Sequence, residues 1–177
     1  ALANVRDLES RFDELCGESN DTAICDLARA QVIILKAYKT FKVTDIFGDI
    51  PYTQAGRIWQ PENDSVNYRK PKFDTQESIY KSLLNELVWA RDVLSNATEQ
   101  TPSGNDYLSL SSFDPLMYGS LAKWAKFANS LILRHGLRCY HKDPEFATPL
   151  LAEAFHIPII DDMDGVCMWP SKLGYEN

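Results

Sequence analysis

The feature that most constrains the fold is a long apolar run that predicts one helix over residues 22–47. Its main stripe has helical spacing and consists of Ile24, Leu27, Ala28, Ile34, Leu35, Tyr38 and Phe41. A second set widens that stripe toward another face and consists of Ala30, Ile33 and Ala37. Because a helix with so wide an apolar surface is covered on two sides, we expect it to pack between neighbouring elements.

Four further segments carry helix signals. Residues 3–15 and 120–140 place apolar side chains at intervals of three and four. Asp74-Thr-Gln-Glu77 is a capping-box pattern, which predicts that Asp74 caps the next helix. Asp143-Pro144 predicts the N-cap and first turn of a shorter helix. Since little of the sequence alternates with a period of two, helices in antiparallel pairs predict an all-α layered architecture.

The first long helix is expected to end in the phrase TDIFGDIPY, residues 44–52. Gly48 stands where a helix C-terminus needs a left-handed residue, so we expect a positive φ there. Pro51 prevents the helix from resuming and biases Ile50 toward extended geometry. On this interpretation Phe47 and Ile50 pack on the same core.

Composition and charge exclude several functions. The chain has 177 residues, of which 45% are hydrophobic, as in a globular protein with a substantial core. Its net charge is −7, which disfavours nucleic acid and anionic membrane surfaces as partners. It has no apolar stretch long enough to span a bilayer. The four cysteines form no CxxC pair, so we expect buried thiols or one disulfide, and no metal site.

The sequence shows no recognisable catalytic motif and no cofactor-binding motif. Its three histidines are far apart, and no HExxH, GxSxG, GxGxxG or P-loop pattern occurs. His135 falls on an apolar stripe and is expected to be a hydrogen-bonded core residue. Residues 161–165 are acidic but do not match the ligand spacing of a calcium loop, so a solvated turn is expected. These observations predict a protein that is not an enzyme.

Three ordered blocks carry a family resemblance. The first runs from Arg29-Ala30 through Ala37-Tyr38 to the TDIFGDIPY phrase, and the second is the Lys70–Leu87 region around Asp74-Thr-Gln-Glu77. The third is Tyr118–Arg134, with the sequence YGSLAKWAKFANSLILR. Together they resemble the fingerprint of the SusD/RagB outer-membrane lipoproteins of Bacteroidetes over about residues 28–140. Because members of that family are several hundred residues long, we expect residues 1–177 to be a single partial domain.

The resemblance implies a fold and a function. The expected fold is an α-α superhelix of tetratricopeptide-like helix pairs with long loops. The expected function is non-catalytic capture of an oligosaccharide or polysaccharide, or in some cases a peptide, for a TonB-dependent SusC-like barrel. Members are lipid-anchored on the extracellular face of the outer membrane. No lipobox precedes Cys16, so the anchor is expected to lie outside this sequence.

Ligand-facing residues are best sought in the loop that follows TDIFGDIPY. This segment, residues 48–73, is broken by prolines and glycines, and its aromatic residues follow no helical period. Aromatic planes stack on sugar rings while polar groups bind hydroxyls. The candidates are Tyr52, Trp59 and Tyr68, with Arg57 and Asn63 as polar partners. The alternative is a helical-repeat scaffold that binds a protein or peptide through an apolar groove.

Overall fold

The computed structural model describes residues 2–18, 22–57, 69–99, 114, 116–117 and 119–161. The chain divides into two compact units, Ala1–Leu87 and Val88–Asn177. The described residues form five helices and no named strand: α1 Leu2–Glu18, α2 Thr22–Phe47, α3 Gln76–Glu99, α4 Leu121–Tyr140 and α5 Pro144–Ala154. The expectation of a single partial domain over residues 1–177 stays a prediction.

In the first unit, α1 and α2 pack as an antiparallel pair. The Cys16–Cys25 disulfide joins them near their connection, with the two Cα atoms 5.9 Å apart. Further from the connection, Glu9 contacts Lys36. The predicted apolar surface of α2 is buried in part: three residues of the main stripe and all of the second set are buried, namely Leu27, Ile34, Phe41, Ala30, Ile33 and Ala37. The other main-stripe residues, Ile24, Ala28, Leu35 and Tyr38, are partly exposed. Side chains from the start of α3 are buried as well: Ile79, Leu83, Leu84 and Leu87. Cys139, in the second unit, forms no disulfide with a described residue, and its thiol donates to the Gly136 carbonyl at 3.2 Å.

The end of α2 confirms the predicted glycine stop. Gly48 has a φ of +73°, and its N–H donates to the carbonyl of Thr44 at 2.8 Å. The Thr44 hydroxyl in turn donates to the Gly48 carbonyl at 2.6 Å. The prediction that Phe47 packs on the core is wrong, because Phe47 is 72% exposed and the fully buried Thr44 occupies the inward position of the last turn.

The predicted capping box at the start of α3 is also wrong. The helix begins at Gln76, and Thr75 supplies the side-chain cap, its hydroxyl accepting from Ser78 N–H at 3.2 Å. The carboxylate of Asp74 accepts instead from the backbone N–H groups of Tyr52 and Thr53, at 2.9 and 2.8 Å. The Asp74 carboxylate therefore links two segments that lie more than 20 residues apart in the chain.

In the second unit, α4 and α5 form another antiparallel pair. Ser120 caps α4, and Asp143 caps α5 by accepting from Phe146 N–H at 3.1 Å, as the Asp143-Pro144 pattern predicts. The amide of Asn129 donates to the carbonyls of Ala154 and Ile157, at 3.0 and 2.9 Å. A residue in the middle of α4 thus holds the chain where α5 ends.

Trp124 of the third block and His135, the residue after that block, are also buried in the second unit. The indole N–H of Trp124 donates to Asp114 at 2.7 Å. The same carboxylate accepts from the backbone N–H groups before α4, including that of Met117 at 3.0 Å. His135 is 4% exposed, as expected for a core histidine.

Candidate functional site

The first unit contains a polar cavity of about 290 Å³. It is formed by α1, α2, the first half of α3 and the segment that leaves α2. Apolar side chains, including Phe12, Val32 and Ile33, contribute to its walls. Among the residues that the structure describes, its charged lining consists of Arg6, Glu9, Arg29, Lys36, Arg57 and Glu86. The concentration of charged groups in one cavity makes this the candidate site.

Lys36 is the centre of the charged lining. Its side chain is only 4% exposed, and its ammonium lies 2.8 Å from Glu9 Oε1 and 2.6 Å from Glu86 Oε2. Arg6, which is also buried, donates to the other oxygen of Glu9 at 2.7 Å. Because burying an unpaired charge is strongly unfavourable, these carboxylates are what allow a lysine to stand among the buried residues of α2.

The pairing shifts the proton affinities of both partners. Burial alone would raise the pKa of Glu9, but the neighbouring Lys36 and Arg6 outweigh burial and hold that pKa below its ordinary value. Burial alone would lower the pKa of Lys36, but Glu86 and Glu9, together with Tyr52, raise it above its ordinary value. Both groups therefore stay charged near neutral pH.

Tyr52, the last residue of TDIFGDIPY, is a buried neighbour of this network. It is 3% exposed, and the guanidinium of Arg6 lies over its ring, 5.1 Å from the centroid. A second guanidinium nitrogen of Arg6 donates to the Tyr52 carbonyl at 3.2 Å. Burial raises the pKa of the Tyr52 phenol. The exit from α2 is thus fixed against α1.

The loop that begins after Tyr52 is held together at its base. Ile50 and Asp74 form an antiparallel bridge, with N–H to carbonyl distances of 3.2 and 2.9 Å. The side-chain carbonyl of Gln54 accepts from Lys72 N–H at 2.9 Å. Burial would raise the pKa of Asp74, but the hydrogen bonds from Thr53 and Tyr52 lower it. The two ends of the loop therefore lie side by side.

The structure places two of the five predicted ligand residues. Arg57 lines the polar cavity, and Tyr52 is buried against Arg6. Trp59, Tyr68 and Asn63 lie outside the described residues, so the role of these five residues in ligand binding stays a prediction. Sequence analysis missed the network of Arg6, Glu9, Lys36 and Glu86. The sequence feature that could have indicated this network is Lys36, a charged residue within the wide apolar surface of α2.

The described part of the chain has no group of three or more His, Cys, Asp or Glu side chains placed to hold a metal ion. Among the helices described, none is long and apolar enough to cross a membrane. The charged lining of the cavity offers hydrogen bonding and ion pairing through guanidinium, ammonium and carboxylate groups.

A family model for SusD-like proteins, described as starch-binding and associating with the outer membrane, matches residues 1–176. The chain belongs to this SusD-like family. The resemblance seen in the three sequence blocks is thus confirmed. No curated protein sequence matches the chain.

Solved SusD-like structures share its fold. A chitin-binding protein is 29% identical with a TM-score of 0.66, and the match covers 92% of this chain and 30% of that one. A SusD homologue from Bacteroides ovatus ATCC 8483 is 27% identical with a TM-score of 0.62, over 88% of this chain and 28% of that one. The predicted class, an all-α superhelix of tetratricopeptide-like helix pairs, is confirmed.

A chitin-binding SusD homologue from Flavobacterium johnsoniae is similar in fold, with 24% identity and a TM-score of 0.62 over 84% of this chain. The match covers 28% of the Flavobacterium protein. This SusD-like chain therefore spans less than a third of the length of each of these three proteins.

Proposed function

We propose that this SusD-like protein is a non-catalytic glycan-binding protein of the cell surface. The observation that carries the proposal is the match of nearly the whole chain to a family described as starch-binding and associating with the outer membrane. The chitin-binding relative supports the same class of ligand. A polysaccharide is bound through hydroxyl groups and ring faces, which suit polar clefts and loop aromatics.

The finer proposal is that the bound oligosaccharide or polysaccharide passes to a TonB-dependent SusC-like barrel. The full-length protein is then lipid-anchored on the extracellular face of the outer membrane. This step follows from the family to which the chain belongs. Affinity purification of the full-length protein from its native membrane tests it, because a transporter of this kind must then co-purify.

The ligand site is proposed to include Trp59, Tyr68 and Tyr52, with Arg57 and Asn63. Isothermal titration of the full-length protein with starch, chitin and other soluble oligosaccharides tests the function. Trp59→Ala is expected to weaken binding by roughly 1–3 kcal/mol while leaving the melting temperature nearly unchanged. The matched control is Trp89→Ala, because Trp89 is 38% exposed on α3 and lies outside the loop.

Product analysis during the same titrations tests the absence of catalysis. We expect every glycan to be recovered intact. Hydrolysis that persists in pure protein and disappears with a point substitution in this chain contradicts a pure binding function. Equal binding by wild type and Trp59→Ala removes the loop residues from the site.

A second candidate function is a helical scaffold for a protein or peptide partner. It is favoured by an apolar cavity of about 330 Å³ on α4 and α5, lined by Leu137, Tyr140, Leu151 and Phe155 among others. Leu137 and Phe155 are 50% and 62% exposed. Micromolar binding of apolar peptides, together with failure to bind any glycan, replaces the first proposal with this one.

A further inference from the structure

The outer face of the last turns of α2 is apolar and exposed. Val43, Ile46 and Phe47 lie at intervals of three and four, so their side chains share one face of the helix. Ile46 and Phe47 are 75% and 72% exposed, and Val43 is exposed as well. Single exposed apolar residues are common on protein surfaces, whereas a contiguous group of them marks a site of interaction. The end of α2 is therefore a candidate docking surface.

An apolar groove of about 210 Å³ adjoins this face. Val43 belongs to both, and Val5 of α1 lines the groove together with Ile50 and Pro51, which follow α2. The volume of the groove lies below the range of about 300–1,000 Å³ for small-molecule pockets. The groove thus suits one large apolar side chain of a partner rather than a sugar ring.

Phe73 extends the apolar surface at the base of the loop. The antiparallel bridge between Ile50 and Asp74 places Phe73 opposite Pro51. Phe73 is 71% exposed, and Pro51 lines the groove. A second exposed phenylalanine, besides Phe47, therefore stands across from a wall of the groove.

Two lysines lie on the same face of α2. Lys39 precedes Val43 by one helical turn, and Lys42 precedes Ile46 by one turn. Both ammonium groups lie over the ring of Tyr38, 5.7 and 4.4 Å from its centroid. Within the described part of the chain, neither of them forms an ion pair with a carboxylate. The apolar face is thus flanked by positive charge that a partner can pair.

The carboxylates nearest in sequence to these lysines are engaged elsewhere. Asp45 accepts from the hydroxyl of Tyr80, and Asp49 accepts from the backbone N–H of Gln76 at 2.8 Å. Both donors belong to α3, so these hydrogen bonds hold the two carboxylates against that helix. A partner that carries its own carboxylates supplies the charge that complements the lysines.

We propose that this surface docks an acidic segment of a partner protein. The segment places a large apolar side chain in the groove and carboxylates against Lys39 and Lys42. The face of α2 and the adjoining groove suit an amphipathic segment, because its apolar side covers Val43, Ile46 and Phe47 while its acidic side meets the lysines. This inference is independent of the glycan-binding function, since it uses a different surface of the first unit.

Three matched peptides test the chemistry of the partner. The first is a short fluorescein-labelled peptide of glutamate and leucine, with leucine at helical spacing. The second has lysine in place of every glutamate, and the third has serine in place of every leucine. Fluorescence anisotropy with the full-length protein is expected to show at least about tenfold tighter binding of the first peptide than of the other two. Its affinity should fall as the salt concentration rises, because the ion pairs are exposed.

Substitutions locate the binding surface. Phe47→Ser should weaken binding of the acidic peptide by about tenfold, and the double variant Lys39→Gln, Lys42→Gln should weaken it by about fivefold. Phe155→Ser and Lys142→Gln are the controls, because they make the same changes at exposed positions of the second unit. Circular dichroism and thermal melts confirm that each variant is folded.

The remaining outcomes overturn the proposal. It is wrong if the acidic and lysine peptides bind equally well, if the controls lose as much affinity as the test variants, or if the full-length protein binds none of the peptides. Binding to phosphatidylglycerol vesicles that depends on Phe47, without peptide binding, assigns the surface to a membrane instead. A dimer in sedimentation experiments that Phe47→Ser dissociates assigns it to a second copy. Titration of the same variants with starch and chitin tests the glycan-binding function separately.

Discussion

Replacing Gly48 tests the account of how α2 ends. A Cβ at this position would meet no atom within 4 Å, so an alanine methyl group has space and the cost of that substitution is conformational. At a φ of +73°, an L-residue is less stable than glycine by about 1–2 kcal/mol. Alanine also has less backbone freedom than glycine in the unfolded chain, which offsets about 0.4–1 kcal/mol of this loss of stability. We therefore expect Gly48→Ala to cost about 1 kcal/mol and Gly48→Val about 1–2 kcal/mol.

Urea denaturation followed by circular dichroism measures these differences as shifts in the midpoint at constant slope. Gly48→Asn is the matched variant, because asparagine tolerates the left-handed region, and it should cost less than half as much as valine. Stability that is unchanged in the alanine and valine variants would refute the reasoning. So would an asparagine variant as unstable as the valine variant, because the loss would then come from something other than φ.

Three further predictions concern contacts that hold segments together. Asp74→Asn should cost about 1–2 kcal/mol at pH 7, since the carboxylate accepts from Tyr52 and Thr53. Because the folded pKa of Asp74 is lowered, its contribution is fully present above the unfolded pKa and is lost as pH falls through the folded one. The difference in stability between wild type and Asp74→Asn, measured by urea melts, should therefore be smaller at pH 3 than at pH 7. Asn129→Ala should cost about 1–3 kcal/mol by leaving the Ala154 and Ile157 carbonyls unpaired, and thermal melts against Arg134→Ala, at an exposed position of the same helix, check this. The Cys16→Ser, Cys25→Ser double variant should be about 2.5 kcal/mol less stable, because it removes a disulfide between residues nine positions apart. If the melting temperature of wild type does not change in dithiothreitol, this prediction is wrong.

The helices were predictable because their causes are local. The stripe of α2, the glycine at its end and the Asp143 cap of α5 each depend on residues within a few positions of one another. The start of α3 was not predictable in the same way. Asp74 has the sequence context of a cap, but donors from Tyr52 and Thr53 bind its carboxylate, and no local pattern reports them.

The candidate site was predictable only in part for the same reason. The family and the loop followed from consecutive residues, whereas the charged lining joins α1, α2 and α3 across separations that leave no periodic trace. Glu9 and Lys36 lie 27 positions apart. A lysine within an apolar surface indicates that some carboxylate must be near, but its identity depends on how the helices pack.

Because the two ends of the loop after Tyr52 are hydrogen-bonded to each other, we expect that the loop can be replaced without disturbing the helices. The two ends of the loop are held together by the Ile50–Asp74 bridge, the hydrogen bonds to the Asp74 carboxylate and the Gln54–Lys72 hydrogen bond. None of these contacts involves a residue between Gln54 and Lys72. Doubling the length of a flexible closed loop costs only about 0.6 kcal/mol of chain entropy. Insertions, deletions and whole-loop grafts between Gln54 and Lys72 should therefore leave the α1–α2 pair intact. If the loop binds glycan as proposed, glycan preference then changes by replacing the loop alone.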